Sequence, residues 1–292
     1  MEKRRVGCFK KPTIAPLISV IIPVYNASVY ISEAVQSAVH LTDVGEVLLI
    51  EDGSKDNSLA VCKQLVEIHH KVKLFIHPDN KNLGASESRN LGIKNATYNL
   101  IAFLDADDVY CKNRFTLAIK KIKSQIDIDG VYCAVGYLDE PNGKVFTLRK
   151  KLHPKMLFHY LIRGTYGHFH TNGILLKKTI FEKAGYFNTD LTLHQDSELW
   201  LRLAFCGNLV GGELTHPMAL IRRHAGNRIW IGQSTESKLK SYYATLNWIR
   251  NKNAGIINTF LLLRKISKLE SKKENRLFLT TMLKNLTRRI FP

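Results

Sequence analysis

Through its first hundred residues the chain alternates short apolar, β-branched runs with amphipathic stretches, and few architectures accept that order. "LISVIIPV" (17–24) reads as a buried strand. "SVYISEAVQSAVH" (28–40) follows, with Ser28 in the N-cap position and apolar residues at helical spacing. "EVLLI" (46–50), "VKLFIH" (72–77) and "NLIAFL" (99–104) are further strands, separated by helices over "KDNSLAVCKQLVEIH" (55–69) and "GASESRNLGIKNA" (84–96). This alternation predicts an α/β fold, a mostly parallel central sheet flanked by helices. Such sheets bind ligands at the carboxyl ends of their strands, where the polar clusters "IEDGS" and "LDADD" fall.

Past Lys112 the pattern changes. "GVYCAVGYL" (130–138) and "KVFTLRK" (144–150) read as two strands around the turn "EPNG". "PKMLFHYLIRG" (154–164) predicts a short helix, "TNGILLKK" (171–178) a strand, and "TIFEKAG" (179–185) a helical turn ending at Gly185. "HQDSELWLRLAFCG" (194–207) predicts an amphipathic helix stopped by Gly207. "LVGGEL", "MALIRR" and a loop rich in Gly, Asn and Arg lead into helices from about Ser234, the last expected over 271–290. The 292 residues, 45% of them hydrophobic, allow one large domain, or one domain with an appendage, around a substantial core. Five cysteines, odd in number and without a CxxC pair, argue against a disulfide framework or structural zinc and for a reducing compartment. The basic N-terminus lacks the apolar stretch of a signal peptide, and no run of about 18 apolar residues occurs, so a cytoplasmic protein without a membrane span is expected.

"NLIAFLDADDVY" (99–110) poses the chemical question, because an apolar strand delivers Asp105, Asp107 and Asp108 at its end. Like charges this close repel, and carboxylates tolerate burial poorly without partners. Either the turn is solvated or a cation sits among them, and hard oxygen donors suit Mg²⁺ or Mn²⁺. Tyr25 in "PVYN" can stack on a nucleobase or pack into the core. Asp52 in "EDGS" can accept a hydrogen bond from a base imide or cap the helix that follows. Arg89 in "ASESRN" can pair with the aspartates. Asp196, at the head of a helix, is favoured there by the helix dipole and well exposed to a cleft.

"ISVIIPVYN", "EVLLIEDGSKDNS", "NLGASESRNLGIKNATYNLIAFLDADD", "HQDSELWLRLA" and "RRH", in that order and spacing, resemble a family 2 glycosyltransferase of the inverting, bacterial surface-polysaccharide type. The resemblance covers residues 18 to about 224. It implies the GT-A nucleotide-sugar-binding fold over 17–232, with a nucleotide-sugar-binding half (17–110) and an acceptor-side half (111–232). A basic segment (1–16) would precede it and a basic helical region (233–292) follow. By resemblance Asp105-Ala106-Asp107 is the DXD motif, with Asp105 near the ribose and Asp107 on Mn²⁺ or Mg²⁺; Asp108 is a third member. Pro23, Tyr25, Asn26, Asp52 and Arg89 would line the nucleotide-sugar site, Glu51 standing where Asp is commoner. Asp196 would be the base that deprotonates the acceptor hydroxyl. Gln195 replaces an expected Glu beside it, and Glu198, Trp200 and Arg202 read as packing positions. Arg222 and His224 match an Arg-x-His element, placing His224 on the metal or diphosphate and Arg222 on phosphate oxygens. His168 and His170 in "RGTYGHFHTNG" are expected on the acceptor side.

The implied activity moves a sugar, with UDP the favoured carrier, to a glycan or lipid-linked saccharide during O-antigen, capsule or lipopolysaccharide synthesis. A net charge of +18 admits other readings. A sugar-nucleotide pyrophosphorylase needs a glycine-rich, Arg- and Lys-bearing loop after the first strand, where "PVYNAS" stands. A basic nucleic-acid binder would carry a recognisable binding motif, and none is present. Residues 251–292 hold ten Lys or Arg against two Glu. A basic amphipathic helix there either lies on an anionic membrane surface, at the cytoplasmic face of the inner membrane, or packs on the catalytic domain.

Overall fold

The computed structural model describes residues 17–140, 143–224, 234–250, 252 and 254–274. Four parallel strands come first, apolar over most of their length and buried at β1, β2 and β4: β1 (Ile18–Val24), β2 (Val44–Glu51), β3 (Val72–Ile76) and β4 (Leu100–Phe103). Helices α1 (Ile31–Val39), α2 (Ser58–Ile68) and α3 (Ala85–Asn95) connect them. Then follow β5 (Val109–Tyr110), α4 (Thr116–Ser124), β6 (Gly130–Tyr132), β7 (Gly136–Tyr137), α5 (Pro154–Arg163) and β8 (Ile174–Lys177). The chain continues through α6 (Ile180–Ala184), α7 (Gln195–Cys206), β9 (Leu209–Gly211), β10 (Ala219–Ile221), α8 (Thr235–Arg250) and α9 (Ile256–Glu274). The main sheet runs β3-β2-β1-β4-β8-β6-β9, with β8 antiparallel to both neighbours. A small sheet, β5-β10-β7, closes over the end of β4. The expected α/β fold with a mostly parallel sheet is therefore present.

Several local expectations need correction. Helix α1 begins at Ile31, not near Ser28, whose amide is donated to Asp56 Oδ2 at 3.0 Å. "GVYCAVGYL" is not one strand. Its chain leaves the main sheet at Cys133, whose amide bonds Gly173 O, while the Ala134 amide bonds Glu213 O. A Cβ on Gly173 would stand 2.4 Å from Cys133 O, so only glycine permits that approach. "KVFTLRK" forms no strand of either sheet; its Phe146 makes an isolated antiparallel bridge to Val135. Helix α4 and strand β5 were not expected from the sequence. The last helix among the described residues, α9, spans Ile256–Glu274; the helix expected over 271–290 lies mostly outside the described residues, as do 1–16 and 225–233.

One apolar cluster joins both halves of the chain to the C-terminal helices. Ile21 and Phe103 of the sheet, Phe158 of α5, Trp200 of α7, Leu246 of α8 and Leu262 and Ile266 of α9 all belong to it. Helix α7 is fixed within it by a buried ion pair, Arg202 to Glu198 at 2.7 Å, with Arg202 also donating to Ala184 O and Tyr186 O. That anchoring sets where the N-terminus of α7, and so Asp196, can point.

Candidate active site

The carboxyl ends of β1, β2 and β4 and the N-terminus of α7 surround a cleft of about 640 Å³. Pro23, Tyr25, Asn26, Asp52, Arg89, Asp105, Ala106, Asp107, His170, Gln195, Asp196 and His224 line it, twelve positions singled out by sequence and scattered over two hundred residues. His168 and Arg222 are not among the lining residues. His168 lies on the loop ahead of β8, within Coulombic range of Lys265 and Asp196. Arg222 is held beneath the site: Nε donates to Asp107 O at 3.0 Å, an Nη donates to Glu33, and the guanidinium lies over Tyr30 at 5.2 Å.

On the donor side, Asn26 takes a left-handed conformation (φ 49°), its amide donating to Ser54 Oγ and its Oδ1 accepting from the Lys55 amide. This lock presents the half-buried Tyr25 at the cleft. Glu51 closes the next turn by accepting the Gly53 and Ser54 amides at 3.0 and 2.7 Å. The buried Asp52 carboxylate accepts the amides of Leu83 and Gly84, tying the loop before α3 to the end of β2. Asp56, not Asp52, serves the start of α2, accepting from the Ser58 amide at 3.0 Å.

Each of the three clustered carboxylates has its own partner. Asp105 pairs with Arg89 Nη2 at 2.8 Å, and Arg89 also packs against the Phe187 ring. Asp107 Oδ2 meets His224 Nε2 at 2.8 Å. Asp108 is buried and accepts from the Arg222 amide at 2.8 Å and from Asn172 Nδ2 at 2.5 Å. Burial first, then the charges of Asp105 and Asp107, push the Asp108 carboxyl up, against the hydrogen bonds from Arg222 and Asn172 that favour its ionised form.

Among the described residues no group of three or more His, Cys, Asp or Glu side chains is placed to hold a metal by itself. The Asp107–His224 pair nevertheless fits an ion completed by ligand oxygens. Adjacent ligands of an octahedral ion at about 2.1 Å stand about 3.0 Å apart, close to the observed 2.8 Å.

Across the cleft, Asp196 occupies the first turn of α7, where the helix dipole favours a carboxylate. Its Oδ1 accepts the Ser197 amide at 2.7 Å. His194 precedes it in a left-handed conformation (φ 62°), and burial holds its imidazole below the ordinary range against the pull of Asp196. Sequence reasoning passed over Tyr30, Thr192, Leu193 and His194, which also line the cleft, and Asn172 beneath it. Tyr30 had a faint signal as an aromatic three residues from Ala27; Asn172 had none, since its partners are 64 and 67 positions away.

The model of the family "Glycosyl transferase family 2" matches residues 19–185. An uncharacterised glycosyltransferase of Rickettsia typhi is 29% identical over 204 residues, 66% of this chain, and the match spans 60% of that relative's length. Among solved structures, S. aureus TarS 1–349 in complex with UDP-GlcNAc superposes with a TM-score of 0.68 at 16% identity, covering 89% of this chain and 73% of TarS. A mannosyltransferase of Pyrobaculum calidifontis in complex with GDP-Man and Mn²⁺ gives 0.61 at 18%, covering 98% and 78%. These two structures share the fold.

Proposed function

This chain belongs to glycosyl transferase family 2, and on that premise we propose that it transfers a sugar from a nucleotide-diphospho-sugar to an acceptor hydroxyl with inversion at the anomeric carbon. The observation that carries the reading is the convergence of Tyr25, Asp52, Asp107, His224 and Asp196 on one cleft. UDP is the favoured carrier, as in the TarS complex, with the base resting against Tyr25 beside Asp52. Asp107 and His224 would hold Mn²⁺ or Mg²⁺, which when bound supplies charge neutralisation for the departing nucleoside diphosphate; the mannosyltransferase neighbour was solved with Mn²⁺. Arg89 keeps Asp105 in place near the ribose. Asp196 takes the proton from the acceptor hydroxyl as it attacks, its Oδ1 fixed by Ser197. His170 and Gln195 line the acceptor side.

The acceptor in this reading is a glycan or lipid-linked saccharide of a bacterial surface polysaccharide, reached at the cytoplasmic face of the membrane. No helix among the described residues is long and apolar enough to cross a membrane. A peripheral contact is supported by the outward stripe of α9, apolar at Ile256, Ile257 and Phe260 and basic at Arg264 and Lys268.

A thermal-shift panel tests the donor half. UDP-sugars with Mn²⁺ or Mg²⁺ should raise the melting temperature by mass action, and chelator or Asp107→Ala should abolish the rise. A rise that persists in Asp107→Ala would remove the metal assignment. A panel with no response to any nucleotide sugar would remove the donor site.

A further inference from the structure

Beneath the acidic turn lies a side chain that reaches neither the cleft nor solvent. Asn172, fully buried just before β8, accepts the Asp105 amide on Oδ1 at 3.1 Å and donates from Nδ2 to Asp108 Oδ2 at 2.5 Å. Its own position is fixed from behind. Arg114, itself buried, donates from Nε to Asn172 O at 3.0 Å and from Nη2 to Ile174 O at 3.1 Å. The His170 ring accepts the Asn172 amide at 3.2 Å. On the far side, Asp108 Oδ1 accepts the Arg222 amide, two residues ahead of His224. One carboxamide therefore grips both ends of the turn that carries Asp107, and through Asp108 it couples that turn to the strand end carrying His224.

We propose that Asn172 is a positioning residue, which sets the spacing of Asp107 and His224 and thereby the affinity of the site for a divalent ion and the nucleoside diphosphate it accompanies. The proposal rests on the nucleotide-sugar reading above. A carboxamide suits the place because it presents one acceptor and one donor, matching an amide N–H on one side and a carboxylate on the other. An aspartate there would set two carboxylate oxygens against each other, a repulsive contact. Groups that orient metal ligands from behind typically control metal affinity about 10–100-fold.

The pairing can be reversed without losing a hydrogen bond. In the double variant Asn172→Asp with Asp108→Asn, the new aspartate accepts from the Asp105 amide and from the new Asn Nδ2. That Asn keeps its Oδ1 on the Arg222 amide, and the total charge is unchanged. The measurement is Mn²⁺ affinity in the presence of UDP, read from the electron paramagnetic resonance signal of free Mn²⁺. Melting temperatures without ligand establish that each variant is folded, and a KM-against-kcat split for donor follows where transfer is observed. Asn172→Asp and Asp108→Asn should each weaken Mn²⁺ binding about 10–100-fold, and the double variant should return to within about threefold of wild type. Asn172→Asp with wild-type affinity, or a double variant no better than the weaker single, would overturn the proposal. A wild-type chain that binds neither Mn²⁺ nor UDP would instead remove the underlying reading, and this inference with it.

Discussion

At the scale of single residues, the site keeps a dense set of carboxylates by giving each a different environment. Asp105 has a guanidinium, Asp107 an imidazole and Asp108 a buried cage of hydrogen-bond donors. Asp196 is separated from all three, on another element, with an amide and a hydroxyl turned toward one of its oxygens. On the proposed reading, that separation makes the roles of the two sides of the cleft divisible by mutation. Asp196→Asn preserves shape and the Ser197 contact but removes the basic oxygen. It should leave the UDP-induced thermal shift intact and lower kcat by about 10²–10⁴-fold, the usual contribution of a general base. Turnover within tenfold of wild type would show that another group takes the proton. The place of Asp196 at a helix head was legible from the helix signature around it, and its candidacy came from the resemblance; Asn172 and Arg114 were not legible, because a buried Asn or Arg acquires meaning only from partners that the sheet brings together.

Elements were legible where one periodicity ran uninterrupted. β1 through β4 and α7 lie close to where apolar pattern and glycine stops put them, since buried parallel strands read as largely apolar runs. The misreadings fall where tertiary hydrogen bonds override a local pattern. Cys133 and Ala134 leave the sheet to bond Gly173 and Glu213, and the start of α1 is displaced because Asp56 claims the Ser28 amide. Asp56 is itself the link between two elements, accepting from Ser28 on one side and from the Ser58 amide and hydroxyl on the other. Burial alone would raise its carboxyl, but the hydrogen bonds from Ser58 and Ser28 outweigh it and hold the group at about 2. A carboxyl depressed in the folded state stabilises fully above its ordinary value of 3.8 and loses that contribution as the pH falls toward about 2. Asp56→Ala, which also strips the start of α2 of its acceptor, should cost about 1 kcal/mol at neutral pH. Urea denaturation of the two proteins between pH 6 and 2 should show the gap closing only below about pH 4. A gap that stays constant to pH 2 would show that the carboxylate charge contributes nothing to this junction.

For the whole molecule, helix α9 packs one face in the core and turns the other outward, while most of the segment read from sequence as a basic amphipathic helix lies outside the described residues. Leu262, Leu263 and Ile266 bury one side of α9 in the core that also holds α5 and α8. The opposite side leaves Ile256 89% and Ile257 70% exposed, with Phe260, Arg264 and Lys268 continuing the same outward line at helical spacing. Packing therefore does not consume the amphipathic signal. The outward side carries apolar side chains at its N-terminal end and cations toward its C-terminal end, groups that an anionic bilayer surface would meet together. Each Lys or Arg near an anionic surface adds about 1 kcal/mol, screened by salt within roughly a Debye length. The full chain should thus co-sediment with vesicles rich in phosphatidylglycerol at low salt and leave them as salt rises. It should ignore phosphatidylcholine alone. Replacing Ile256, Ile257 and Phe260 together by Ser removes apolar groups that contribute little to the core, so the melting temperature should hold while vesicle binding falls at least tenfold. Arg264→Glu with Lys268→Glu should weaken binding and flatten its salt dependence. Sedimentation of the triple Ser variant at the wild-type level would show that this stripe is not the anchor, and the basic character of the chain would then need no membrane to explain it.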